Sequence, residues 1–268
     1  MNLGLFCAAI FALVLLAGAL PFVHRFASEA QMLYRATALA AGFLICAALL
    51  VALPEGLEHY LHAAEVAEHR AFMWAGLTVL AGFLFMLILE GFGFGHDFHE
   101  EHHGHEAEFG HPHLHHPPTG SARAVAIGLG LHSVTDGLVL GAAFALGGVS
   151  LSMQLATVIL MHKFPAAFSL AAFSLHSRRS RSRSALDLLL FALLTPAAML
   201  IAVQFLADLN HATLGLMLLF GAGSFVYVAT VDVLPNIHVR AKSHETLWLV
   251  LGGVAIMTAL VLAIGPAH

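Results

Sequence analysis

The chain has 268 residues, of which 59% are hydrophobic and 10% charged, and its mean hydropathy is +0.86. A soluble domain carries about 25% charged residues, so soluble enzymes, nucleic-acid binders and disordered linkers are excluded and an all-α polytopic membrane protein is indicated. The formal net charge is −5 with its 20 histidines neutral, and that histidine excess points to metal.

A membrane span needs about 20 apolar residues. Eight are predicted, over residues 3–23, 36–54, 71–90, 122–146, 151–175, 185–206, 213–234 and 246–265. The first has no Lys or Arg before it, lacks the basic n-region of a signal peptide and reads as a true helix. Cys7 and Cys46 lie inside apolar runs and read as small buried hydrophobes, not as a disulfide or thiolate site. With the connections numbered in order, the odd ones hold Arg25, Arg35, Arg123, Arg178, Arg179, Arg181, Arg183, Arg240 and Lys242. The even ones hold Arg70 alone, and Lys163 is inside a span. This bias places the odd connections in the cytoplasm and both termini on the extracytoplasmic side. Residues 1–268 read as a single transmembrane domain.

The second span runs into Leu53-Pro54-Glu55-Gly56-Leu57-Glu58-His59-Tyr60-Leu61-His62. With helix resuming after Gly56, the residues Glu58, His62, Glu65 and His69 form one stripe, and Glu55 and His59 overlap it. At the outer end such a rim concentrates cations; a merely solvated helix end is the alternative. Glu55 is the most deeply placed of the set. Glu90 closes the third span. Residues 91–121 then read as a cytoplasmic His-rich flexible segment. It carries His96, His99, His102, His103, His105, His111, His113, His115 and His116, interleaved with Glu100, Glu101, Glu106 and Glu108. That composition makes a metal-binding tract of low geometric specificity, or else a polar loop. Imidazole suits zinc, copper, nickel and iron alike.

Ionisable groups at the bilayer centre cost about 2.5–3.5 kcal/mol each on insertion scales, so their presence needs a reason. The fourth span holds His132-Ser133-Val134-Thr135-Asp136-Gly137. His132 and Asp136 are four apart and share a helix face. They offer an imidazole and a carboxylate to one divalent cation, or a hydrogen bond used for packing. The fifth span holds Met161-His162-Lys163-Phe164-Pro165-Ala166-Ala167. Pro165 deprives the Met161 carbonyl of its donor, which transport helices tolerate where backbone lines a cavity. An ordinary proline kink is the alternative. Lys163 needs a counter-charge, for which Asp136 is the natural candidate. Residues 176–184 form a basic topology anchor with affinity for anionic headgroups. Asp232, in Val231-Asp232-Val233-Leu234-Pro235, belongs either to an exit path or to an interfacial cap.

These residues resemble the ZIP (Zrt/Irt-like) divalent-metal transporters over nearly the whole chain. Where the family's fourth helix reads His-Asn-x-x-(Asp/Glu)-Gly, this chain has His132-Ser133-Val134-Thr135-Asp136-Gly137. Where the fifth helix usually reads His-Glu-x-Pro-His-Glu, it has His162-Lys163-Phe164-Pro165-Ala166-Ala167. This His-Lys-x-Pro-Ala-Ala form, with Phe225-Val226-Tyr227-Val228-Ala229-Thr230, is similar to one ZIP branch. The Pro54-Glu55 pair and the run around Asp232 resemble the family's second and seventh helices. The resemblance implies eight helices, an inverted repeat of the first three and last three, and elevator-like motion. Many ZIP proteins hold two bridged metals between helices four and five. Here Ser133, Lys163 and Ala166 replace ligands of the second site.

The expectation is therefore a mononuclear site of His132, Asp136 and His162, completed by Glu55 or water, with the Lys163 ammonium in place of the second cation. The expected function is transport of a divalent metal, zinc above others, from outside to the cytoplasm. Glu58, His59 and His62 gather it, and Asp232 and the histidine segment help it leave. Metal is substrate, and no catalytic cofactor is expected. Protons compete with metal for imidazole, so uptake falls at acid pH. The other readings are a membrane metal receptor without net flux and an intramembrane zinc hydrolase; the sequence lacks a clear acid/base and oxyanion set for the latter. Expected partners are the metal ion and the lipid bilayer, with a homodimer implied by resemblance alone and no nucleic acid. The plasma membrane, or the inner membrane in a bacterium, is the default location.

Overall fold

A computed structural model describes residues 3–23, 30–63, 68–94, 122–178, 180–206, 209–233 and 243–264. All regular structure among them is helical. The helices are α1 (Leu3–Ala19), α2 (Ala30–Cys46), α3 (Leu53–Ala63), α4 (Glu68–Leu89), α5 (Ala122–Arg178), α6 (Arg181–Leu206), α7 (His211–Tyr227) and α8 (Ser243–Ile264). Eight segments are long and apolar enough to cross a membrane, as composition required.

The second span differs from its expected bounds. Helix does not stop at Pro54 and resume after Gly56. It runs on from α2 through a π-helical stretch, Ala47–Ala52, directly into α3, giving an apolar segment over Tyr34–Ala63. Proline cannot donate to the carbonyl four residues back and its ring crowds that turn. Widening the preceding turn to π spacing makes room without ending the helix. Another π-helical stretch, Val228–Val233, continues α7 towards Pro235, itself outside the described residues. At 30 residues, Tyr34–Ala63 is about 45 Å long. That exceeds a hydrocarbon core of about 30 Å, so the helix tilts or carries its polar end out of the core.

The long segment α5 holds two spans, Ala126–Leu146 and Leu151–Leu175. A straight helix would separate His132 from His162 by about 45 Å. Their Nε2 atoms are 3.2 Å apart. The run therefore folds back between the two spans, and they pair as antiparallel arms.

Packing divides the bundle into two sets. α1 and α6 pack on α5, while α3 and α4 pack on α7 and α8 packs on α2. The sets meet where α5 faces α2 and α7. Small residues set these approaches. A Cβ at Gly82 would collide with the Phe220 carbonyl, and one at Gly223 with that of Val79, so α4 and α7 touch backbone to backbone. Gly137 and Gly141 play the same part between α5 and α6, against Thr195, Ala198 and Ala202. Large side chains such as Leu13, Trp74, Leu190 and Trp248 point outward, where lipid replaces water as solvent.

Candidate metal centre

The antiparallel arms of α5 bring together what the sequence separates by about 30 positions. His132, Asp136, His162 and Lys163 are all buried, with Asp136 fully so. His132 and Asp136 share one face of the first arm, and His162 and Lys163 reach in from the second. His132 Nε2 lies 3.6 Å from Asp136 Oδ1, and His162 Nε2 lies 3.5 Å from Asp136 Oδ2. Among the described residues, this trio is the one group of three histidine or carboxylate side chains whose ligand atoms all lie within 4.8 Å of one another.

These spacings match a cation's demands. Zinc binds nitrogen and oxygen at about 2.0–2.1 Å in a tetrahedron, which sets neighbouring ligand atoms roughly 3.3 Å apart. The imidazole nitrogens are 3.2 Å apart, and each lies 3.5 or 3.6 Å from a different oxygen of Asp136, close to that spacing. His162 is oriented by its other nitrogen, since Nδ1 lies 3.1 Å from the Val158 carbonyl. If Nδ1 carries the proton, Nε2 presents its lone pair to the centre, a common device in metal sites. Neither buried oxygen of Asp136 accepts a well-directed hydrogen bond among the described residues. A buried carboxylate so placed is costly unless charge compensates it.

Lys163 supplies that compensation. Its Nζ stands 3.0 Å from Asp136 Oδ2 and donates to Ser133 Oγ at 2.7 Å. It also sits 4.6 Å from the centre of the Phe191 ring on α6, a favourable position for a cation. Thr195 Oγ1 donates to the Ser133 carbonyl at 3.0 Å, tying the same turn to α6. Phe191 and Thr195 were not singled out in the sequence. Both lie in an apolar span with no motif of their own, and only the packing of α6 on α5 brings them here. The Phe225 ring of α7 closes the centre from the other set of helices, 6.0 Å from His162.

Other sequence candidates lie apart from this trio. Glu55 and His59 are half-buried on α3, with Glu55 Oε2 3.8 Å from His59 Nε2. Glu58 and His62 are exposed, and His62 Nδ1 lies 3.0 Å from the Glu58 carbonyl. Glu55 does not join His132, Asp136 and His162 in one close cluster. Tyr227 donates a short hydrogen bond to Glu90, joining the end of α7 to the end of α4. The Asp232 side chain and His96, His99, His102, His103, His105, His111, His113, His115 and His116 lie outside the described residues.

Two comparisons with known proteins bear on this arrangement. The family model of the ZIP zinc transporters matches residues 95–261. The zinc transporter ZIP9 of Micropogonias undulatus is 30% identical over 307 aligned positions, covering 94% of both chains. ZIP9 of Xenopus tropicalis is 31% identical over 94% of this chain and 93% of its own. The mouse zinc transporter SLC39A7 is 35% identical over a shorter stretch, 48% of this chain and 29% of its own. An eight-span helical bundle, a buried His/Asp/His centre and similarity along nearly the full length agree: this chain belongs to the ZIP zinc transporter family, a family of multi-pass membrane transporters and not of enzymes.

Proposed function

We propose that the protein carries zinc from outside to the cytoplasm through a mononuclear site formed by His132, Asp136 and His162. The observation that carries this reading is the close approach of two buried imidazole nitrogens to each other and to the two oxygens of the buried Asp136 carboxylate, at spacings near those of zinc ligands. Water or a small side-chain shift supplies the fourth ligand, as suits a carrier that must release its cargo. Lys163 stands where a second cation would otherwise balance the carboxylate, and its contacts with Asp136 and Ser133 support that role. The two packing sets support a rocking or sliding of α1, α5 and α6 against α2, α3, α4, α7 and α8, with the site on the moving side. Glu55, Glu58, His59 and His62 form the entry rim. Asp232 and the histidines of 96–116 serve the exit.

The test is zinc flux into proteoliposomes containing the purified protein. Wild type should show saturable uptake, and His132→Ala should lower it to the level of empty liposomes. Uptake that survives the combined His132→Ala and Asp136→Ala changes would sink the site assignment. Zinc binding without flux would make the protein a receptor.

A further inference from the structure

Glu55, Glu58, His59 and His62 of the entry rim all lie on one helix, α3. In the fold, α3 lies against α7, and the two helices approach so closely that side chains have no room between them. A Cβ at Gly56 would stand 2.9 Å from the Gly215 carbonyl, and one at Gly215 would stand 2.7 Å from the Gly56 carbonyl. His59 is three residues after Gly56, and His211 is four before Gly215. Both are about one helical turn from the crossing and on its facing side. The rings consequently meet, with centroids 5.7 Å apart and planes tilted by 48°.

That geometry resembles the buried pair. His132 and His162 have centroids 5.4 Å apart and a tilt of 51°. Two imidazoles bound to one tetrahedral zinc through nitrogens at about 2.0–2.1 Å place their centroids roughly 5 Å apart. Glu55, one turn behind His59 on the same helix, brings a carboxylate oxygen to 3.8 Å from His59 Nε2. His59 and Glu55 are half-buried and His211 is exposed, so hydrated metal has access.

We propose that Glu55, His59 and His211 form a second, peripheral zinc-binding site that bridges α3 and α7. His211 has no place in the carrier centre, and the sequence gives no reason to pair it with His59. Small rotations of three side chains would converge the ligands, because the glycine contact fixes the two backbones. Binding here does not depend on the assignment of His132, Asp136 and His162. As a delivery step, the site rests on the carrier reading.

The test must resolve single histidines, since the segment 96–116 alone brings nine more. Purified full-length protein is treated with diethyl pyrocarbonate across a zinc titration, and carbethoxylation of each histidine is read by peptide mass spectrometry. His59 and His211 should become protected together, at one midpoint, while His69 on α4 stays reactive. In His211→Phe, which keeps an aromatic ring but no ligand, the midpoint for His59 should rise at least tenfold. In His59→Phe, that for His211 should do the same. An unchanged His59 midpoint in His211→Phe, or no protection of either histidine in wild type, would overturn the site. Repeating the titration in His132→Ala separates the two readings, because His59 protection should persist there even though flux is lost.

Discussion

The buried centre and the rim at the α3–α7 crossing use the same chemical alphabet, two histidines and a carboxylate, in opposite surroundings. In the centre, Asp136 is fully buried and its charge is answered by Lys163. At the rim, Glu55 and Glu58 keep access to solvent, which screens their charge. With neutral imidazoles, the centre sums to zero charge before metal arrives, whereas the rim is negative. A negative rim attracts a divalent ion. A balanced centre becomes net positive when it takes one up, which weakens retention in a medium of low dielectric. On the proposed carrier reading, ligand type alone does not set the two clusters apart: charge balance and burial decide whether metal is gathered or passed on.

The most severe way to break this contrast is to remove Asp136. Asp136→Ala strands the Lys163 ammonium without its partner, and breaking a buried ion pair from one side costs about 3–5 kcal/mol. The same truncation of Glu55, whose partner His59 is partly solvated, should cost about 0–1 kcal/mol. Melting in detergent, followed by tryptophan fluorescence, reads both. The Asp136→Ala/Lys163→Met pair should regain most of the lost stability but no zinc flux. Continued loss of stability in the double variant would mean that Asp136 supports the fold through something other than charge.

A second break leaves charge alone and attacks geometry. Gly223→Ala would drive a methyl group into the Val79 carbonyl, where α4 and α7 touch. Overpacking of this kind costs typically about 1–3 kcal/mol, and the damage should reach the centre through Phe225, two residues further on. Gly56→Ala meets a less severe approach. It should cost less stability than Gly223→Ala while parting His59 from His211 and raising the zinc midpoint for their protection.

The legibility of these features follows their range. The eight spans were readable because hydrophobicity is summed over about 20 residues at a time. His132 with Asp136, and His162 with Lys163, were readable as polar residues where lipid penalises them. Pro54 misled as an end of helix: its cost is local, but the π-helical turn over Ala47–Ala52 that absorbs it carries no side-chain signal. Ser133 drew notice as a departure from a family pattern, but its hydrogen bond to Lys163 depends on the pairing of two helical arms. His211 was passed over for the same reason, since its meaning lies in the crossing of Gly215 with Gly56, which stands 155 residues before His211 in sequence.

Removing the buried cation sharpens the contrast in the other direction. Lys163→Ala leaves Asp136 uncompensated, so zinc should bind the centre more tightly and stabilise this variant more than wild type. A tenfold gain in affinity corresponds to about 1.4 kcal/mol of added stabilisation at saturating zinc. Maximal flux should fall as release slows. If zinc stabilises both proteins equally, the ammonium does not stand in for a cation, and the balance of charge in the centre has another source.

The smallest effect is expected at an ion pair that shares the chemistry of the centre but none of its burial. Arg35 Nε donates to Glu245 Oε1 at 2.9 Å, joining α2 to α8, with side chains 53% and 40% exposed. Beside it, Tyr34 and Thr246 share a hydrogen bond of 2.5 Å, and Gly42 and Gly253 bring the two helices into backbone contact below. The packing therefore holds the helices together without the charges. Solvent and salt screen an exposed pair, whose median contribution is about 0–1 kcal/mol. Arg35→Gln should lower the melting stability by about 0.5 kcal/mol or less, and by less still at high salt, with flux unchanged. Should this substitution cost as much as Asp136→Ala, burial would not be the variable that separates the two kinds of site, because the two contacts are nearly equal in length, 2.9 and 3.0 Å, and differ chiefly in exposure.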